Sequence, residues 1–323
     1  MKRFTSEEIK GFVTRPLFDE TIISRKDPSC PRISIVTPSY NQSEFLERTI
    51  LSVLNQNYRN LEYIIIDGGS DDGSVEIIRK YEKYITYWVT EKDKGQSDAI
   101  NKGFEKSTGA ILAYINSDDT YNPGAFSRIA AVFAERPGAD IVFGNVMHVD
   151  VCDNVIGECR FTKFNFTALI YEGGSLHQPG TFWKKDIYEK VNRINPTYRF
   201  CMDFDFFCRV AEIGKLRYVR ECIANFRWHE NSKSCTIDQI GLAEHEEIAR
   251  RYRASNNEIY LEYKRTICKI RRFFKYVLQG DADYAVRGLV KRLRNVTQKE
   301  DTSVILLLAY IVFERNLLGA VLS

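Results

Sequence analysis

The sequence predicts an α/β fold: a mostly parallel, twisted sheet flanked by helices, followed by a helical carboxy-terminal extension. Three observations carry this. Short apolar runs alternate with segments of helical period. Each run ends in polar, loop-type residues. From about residue 236 onward the alternation stops and only helical patterns remain.

Residues 1–31 mix charges with Pro16, Pro28 and Pro31 and show little period. They read as an extension that leans on the main domain or is partly ordered. Buried strands are expected at 33–37, 62–67, 87–91, 110–116 and 140–148, runs rich in Ile, Val and Tyr and bounded by turn residues. Helices are expected where Phe45, Leu46, Thr49, Ile50, Val53 and Leu54 recur, and again around Val75, Ile77, Ile78 and Tyr81. Others are expected through Ile100 and Phe104, Phe126 to Phe133, and Phe206 to Val210. Such alternation with short connections implies a sheet covered on both faces. Ligands then bind beyond the carboxyl ends of the strands.

Those ends hold the informative residues. They are Thr37-Pro38-Ser39-Tyr40-Asn41, Asp67-Gly68-Gly69-Ser70, Asp93-Lys94-Gly95-Gln96 and Asn116-Ser117-Asp118-Asp119. Adjacent carboxylates after an apolar strand make a hard, oxygen-rich site for Mg²⁺ or Mn²⁺. A turn followed by a helix cap is the competing reading for Asp118 and Asp119. Asp67 can accept a hydrogen bond from a base or ribose, beside glycines that admit a flat ring, or it can simply organise a turn. Gly95 precedes a helix whose free amides suit phosphate. Asp203, at the start of another helix, is either a cap or a general base. His229, among polar neighbours, can add an imidazole to a carboxylate-bound metal.

Composition narrows the classes. With 323 residues, 44% hydrophobic and 28% charged, the chain is too apolar for long disorder and long enough for one large domain plus a smaller one. The eight cysteines form no Cys-x-x-Cys pair, and with four histidines they do not suggest a zinc cluster. The first fifteen residues lack the apolar core of a signal peptide, so free thiols and a cytoplasmic location are expected.

In order, these strings resemble glycosyltransferase family two, with the GT-A fold, over about 32–235. The matching run is Ser34 to Asn41, Asp67 to Gly73, Asp93-Lys94-Gly95 with Ala99 to Gly103, Asn116 to Asp119, Met202 to Asp205, and His229. The resemblance implies a metal-dependent, inverting transfer from a nucleotide-sugar donor, UDP-sugar favoured, to a glycan or lipid-linked hydroxyl acceptor in cell-surface polysaccharide synthesis. It places Pro38, Tyr40, Asn41, Asp67, Gly68, Asp93, Lys94, Gly95, Ser117 and Asp118 on the donor nucleotide. Asp118, Asp119 and His229 fall on a Mn²⁺ or Mg²⁺ ion, and Asp203 on the acceptor proton. Gly174 (with Gly173), His177 and Gln178 fall at the donor sugar or acceptor. Two positions depart from the family pattern: Asn116 replaces the first aspartate of its metal motif, and Met202 replaces the glutamate before the base.

The domain plan is therefore 1–31 extension, 32–235 catalytic domain and 236–323 helical region. In the last, Tyr263, Ile267, Ile270, Phe274 and Val277 lie at helical intervals, as do Val286, Leu289, Val290, Leu293 and Val296. Residues 264–294 hold ten basic side chains against Asp281 and Asp283, a local charge of +8. The net charge of +3 thus hides a remainder of −5. A basic amphipathic helix suits an anionic membrane surface, and the inner face of the cell membrane is the expected place. Packing on the catalytic domain is the open alternative. The apolar stripe beside the basic residues disfavours nucleic acid. The apolar run 304–313, interrupted at Glu314 and Arg315, is too short to span a bilayer; it could lie in the interface or pair in a homodimer. Two further functions stay open: a nucleotidyltransferase, though no basic Gly-rich triphosphate loop stands at 33–45, and a non-catalytic binding or membrane-scaffold protein on a transferase fold.

Overall fold

The structure is a computed structural model that describes residues 3–24, 27–173, 176–233 and 238–296. Gly174, Cys235 and the apolar run 304–313 lie outside the described residues. The chain divides into two compact units. The first comprises Met1–Phe164 and Leu176–Ile248, the second Asn165–Ser175 and Ala249–Ser323.

The first unit is built on a sheet. Four strands run parallel in the order β3 (Tyr87–Thr90), β2 (Leu61–Asp67), β1 (Ile33–Ser39) and β4 (Ile111–Tyr114). β1 and β2 are buried at every residue. This is why their runs read as continuous rather than alternating. The register sets Ser39 beside Asp67, so the two loops that follow emerge together. Gly103 of α5 (Gln96–Lys106) is placed by packing: a Cβ there would stand 2.4 Å from Val36 Cγ1, so only glycine lets the helix lie on β1.

Beyond β4 the sheet becomes mixed. β8 (Thr181–Lys184) pairs antiparallel with both β4 and β6 (Ile141–Val149). β9 (Leu216–Arg227) runs parallel to β6 and antiparallel to the short β5 (Thr120–Tyr121), and β7 (Val155–Cys159) pairs with β6. The five expected strands are present; β5, β7, β8 and β9 had no expectation. α3 (Ser43–Leu54), α4 (Ser74–Tyr81) and α6 (Ala125–Glu135) also stand where the apolar period predicts. The main core gathers Leu46, Ile50, Ile65, Phe126, Val142 and Phe182.

Residues 3–24 and 27–31 cluster with this unit. α1 (Ser6–Val13) opens with a capping box in which Thr5 and Glu8 satisfy each other's free amides. Its Ile9 joins Phe4, Met147, Val149 and Cys222 in a satellite core. Asn55 Nδ2 donates to the carbonyls of Phe12 and Arg15, fixing the connection.

The expected boundary at 235/236 also moves. The helix Asp238–Tyr252 begins in the first unit, and hydrogen bonding shows why. Glu244 accepts the backbone amides of Arg199, Phe200 and Cys201 at 2.7–2.8 Å, and Glu247 accepts from Tyr198 Oη at 2.9 Å.

The second unit is helical. Phe166–Glu172 packs on the long helix Glu258–Leu278, where Glu172 and Arg272 form an ion pair and the rings of Tyr171 and Tyr260 meet. A last helix, Ala282–Val296, folds back so that Tyr276 and Tyr284 stand 5.1 Å apart. No helix of the described residues is long and apolar enough to cross a membrane.

Candidate active site

The ends of β1 and β4 and the start of α5 line a cleft of about 450 Å³, within the range of small-molecule sites. Its walls include Pro38, Tyr40, Asp93, Lys94, Gly95, Ser117 and Asp118 from the expected set. Gln96, Ser97, Asn116, Tyr198, Arg199 and Lys233 are among the others.

One end is shaped by the β2 loop. Asp67 is fully buried, and its carboxylate accepts from the amides of Gly69 and Ser70 and the hydroxyls of Ser70 and Thr90 at 2.5–3.1 Å. It organises the turn from within, which was the plainer of its two readings. Asn41 does likewise: its Oδ1 accepts the Asp71 amide, and its own amide donates to Ser70 Oγ. Neither residue lines the cleft. Gly68 does not line it either, but a Cβ there would stand 2.9 Å from Asp93 Oδ2 and 3.2 Å from the Tyr40 ring. Its lack of a side chain lets those two groups approach. Tyr40 is 62% exposed, so its ring is available to a flat partner. Asp93 accepts the Gly95 amide at 2.7 Å, ahead of the first turn of α5.

Where Asp118 lines the cleft, it meets an imidazole from behind the wall. His229 Nε2 and Asp118 Oδ2 are 2.9 Å apart, with the imidazole buried and packed 4.8 Å from the Phe45 ring. Arg227 sets this geometry from beneath. It is fully buried, lies over the same Phe45 ring, donates Nε to the Asp118 carbonyl and pairs with Asp153 at 2.6 Å. Sequence reasoning missed it. The only signal was its place two residues before His229, on the same side of an extended strand.

Asp119 is turned away from the cleft. It is 1% exposed; Oδ1 accepts the Arg227 amide at 2.9 Å and Oδ2 faces Asn116 Nδ2 at 3.5 Å. Burial, and then the neighbouring Asp118 charge, hold its carboxyl well above the ordinary range. Its oxygens thus face the backbone of β9 and Asn116 rather than the cleft. Asn116 explains its own departure from the family pattern. Its amide accepts from Gln96 Nε2 at 2.6 Å while pointing a donor at Asp119, a role that needs both ends of an amide.

Asp203 is the second residue of the helix Met202–Ile213, and its Oδ1 accepts the Phe204 amide. Burial raises its carboxyl above the usual range, opposed by that amide and by the Lys233 charge. The preceding Met202 is buried and accepts a hydrogen bond from Ser97 in the cleft wall, so an apolar side chain stands where the family has a glutamate.

His177 and Gln178 are placed elsewhere. Gln178 donates to the Tyr114 carbonyl at 2.6 Å from a short 3₁₀ turn. His177 packs 5.0 Å from Phe226 and 6.1 Å from His148. Burial, with His148 beside it, pushes its imidazole down to about 4. Neither lines the cleft.

The family description "Glycosyl transferase family 2" matches residues 34–210, more than half of the chain. Among curated relatives, a glycosyltransferase of Nostoc sp. is 28% identical over 213 residues, covering 61% of this chain and 65% of that protein, just under two thirds of its length. A PGL/p-HBAD biosynthesis glycosyltransferase of Mycobacterium bovis is 25% identical over 222 residues, covering 65% and 82%. Two solved structures share the fold. S. aureus TarS in complex with UDP-GlcNAc has a TM-score of 0.60 at 15% identity, over 76% of this chain and 74% of that one. The mannosyltransferase PcManGT from Pyrobaculum calidifontis, in complex with GDP-Man and Mn²⁺, has a TM-score of 0.54 at 16% identity, over 95% and 92%. The ordered motifs, the GT-A-like sheet and the extent of the match agree: this chain belongs to glycosyl transferase family 2.

Proposed function

We propose that this chain transfers a sugar, with inversion, from a nucleoside diphosphate sugar, UDP-sugar favoured, to a hydroxyl of a glycan or lipid-linked acceptor in cell-surface glycan synthesis. The Asp118–His229 pair at the cleft wall carries the reading. Support comes from what the similar proteins' names state: PGL/p-HBAD biosynthesis for one relative, and UDP-GlcNAc or GDP-Man with Mn²⁺ in the two structures. A nucleotidyltransferase has no such support.

The donor set fits a hard divalent ion, Mn²⁺ or Mg²⁺, with two protein ligands rather than three. Asp118 offers an oxygen and His229 a nitrogen, while Asp119 faces away from the cleft. Such ions bind through few side chains and complete their shell with phosphate and water. Among the described residues no cluster of three or more His, Cys, Asp or Glu could hold a metal by itself. A bound ion supplies positive charge to the departing diphosphate.

The protein's own groups do the rest. Tyr40 offers a face to the base beside Asp93, and Lys94 with the first amides of α5 meets the phosphates. Asp203 takes the acceptor proton, and burial, by raising its carboxyl above the ordinary range, makes it a stronger base. In the same reading the basic helices within 260–323 rest on the inner face of the cell membrane.

The test is calorimetric titration of UDP with and without Mn²⁺. Wild type is expected to bind UDP more tightly with the ion. Asp118→Ala should lose about tenfold or more of that metal-dependent gain, the scale of a disrupted metal shell. An unchanged gain in the variant rejects the Asp118–His229 site.

A further inference from the structure

The segment that brings His229 to Asp118 goes on to place a cation four residues later. Lys233 is half-buried in the wall of the same cleft. Its Nζ donates to Gln96 Oε1 at 2.7 Å, and Gln96 Nε2 donates to Asn116 Oδ1 at 2.6 Å. Three pieces of backbone meet along this chain: the first turn of α5, the end of β4, and the segment beyond β9.

A neutral donor would suffice to hold the Gln96 carbonyl. An ammonium in this place is expensive, because burial disfavours its charge and pulls its titration below the ordinary lysine range. Asp203 and Glu244 oppose that pull, while Arg199 adds to it. Among the described residues, Tyr114 on β4 and Cys201 and Cys208 at its own helix also feel the Asp203 charge. Burial raises all three, so they are neutral at working pH. Lys233 is thus the charge that opposes the burial of Asp203.

We propose that Lys233 is a positioning residue for the transfer step, locking the first turn of α5 to the end of β4 and setting the field at Asp203. The inference rests on the reading of Asp203 as the base. Charge near the reacting carboxylate acts on the chemical step, so the effect belongs in kcat.

Lys233→Gln keeps a hydrogen-bond donor to Gln96 and removes the charge; Lys233→Arg restores the charge. The pH dependence of kcat for nucleotide release is to be measured for both and for wild type. In Lys233→Gln the acid limb should move up by about one pH unit, as expected for loss of a nearby opposite charge. At pH 7 its kcat should fall by about tenfold or more, with donor KM within about threefold, since the loss is confined to the transition state. Lys233→Arg should return the limb toward its wild-type place. A Lys233→Gln limb that coincides with wild type overturns the inference. So does a loss of kcat with the limb unmoved and no recovery in Lys233→Arg, which marks a packing role. If Lys233→Gln does not fold, the Lys233→Arg limb decides, and a position away from wild type overturns the proposal. A wild type silent with every nucleotide sugar overturns the Asp203 reading and this inference together; an active wild type with an unmoved variant limb overturns this inference alone.

Discussion

Asn116 shows how one side chain settles the local chemistry. Where the family has an aspartate, an amide here accepts from Gln96 and faces the buried Asp119. Restoring the family residue should therefore weaken the protein. In Asn116→Asp a third carboxylate joins Asp118 and Asp119 and the donor toward Asp119 is lost, a change of about 1 kcal/mol or more. That corresponds to a fall in Tm of roughly 2–4 °C in metal-free buffer for a domain of this size class. Scanning calorimetry with a chelator present checks it, and an unchanged or higher Tm would show that the amide is dispensable. Much of the site at this scale was legible in the sequence. Tyr40, Asp93, Lys94, Gly95, Ser117, Asp118 and His229 were named from their loops, and the structure brings them to one cleft or its edge. What escaped reading was long-range: Lys233 meets Gln96 across 137 residues and Arg227 meets Asp153 across 74. Asp67 and Asn41, named for a ligand, also hold their own loops, and a polar residue at a strand end looks the same in either role.

At the scale of elements, legibility followed burial and length. β1, β2 and β4 are buried at every residue, so their apolar runs announce them. β9 is mostly half-buried or exposed over its first half and carries Arg217, Arg220 and Glu221, so its pattern competes with loop and helix readings. β5 has two residues, below what any period can reveal, and β8 has four. β5, β8 and β9 exist because partners far along the chain accept their hydrogen bonds. α1 was missed for a similar reason, although Thr5 and Glu8 bear a capping-box spacing that reads directly once sought. The boundary shift to Ile248 has a comparable origin: Glu244 anchors a helix to the turn before Asp203, and nothing in helical period distinguishes that helix from those after it.

The whole molecule carries its charge unevenly, ten basic against two acidic side chains over residues 264–294 in a chain of net +3. In the second unit Tyr263, Leu278, Val286 and Val290 are exposed on helices that also carry these basic residues. Apolar side chains beside cations are what an anionic bilayer surface binds. Flotation with vesicles containing anionic lipid should recover the protein at low salt and lose it as salt screens the surface; equal recovery on neutral vesicles, or none on either, argues against the membrane reading. The central claim concerns the first unit: the cleft holds a nucleotide sugar and Asp203 activates the acceptor. The most direct check is nucleotide release from a panel of UDP- and GDP-sugars with Mn²⁺, for wild type and Asp203→Asn. Wild type should turn over at least one donor. The variant should lose about 10²–10⁴-fold in rate, the usual worth of general-base catalysis, while still binding the nucleotide. An Asp203→Asn variant as fast as wild type, or a wild type inert toward every donor, would contradict it.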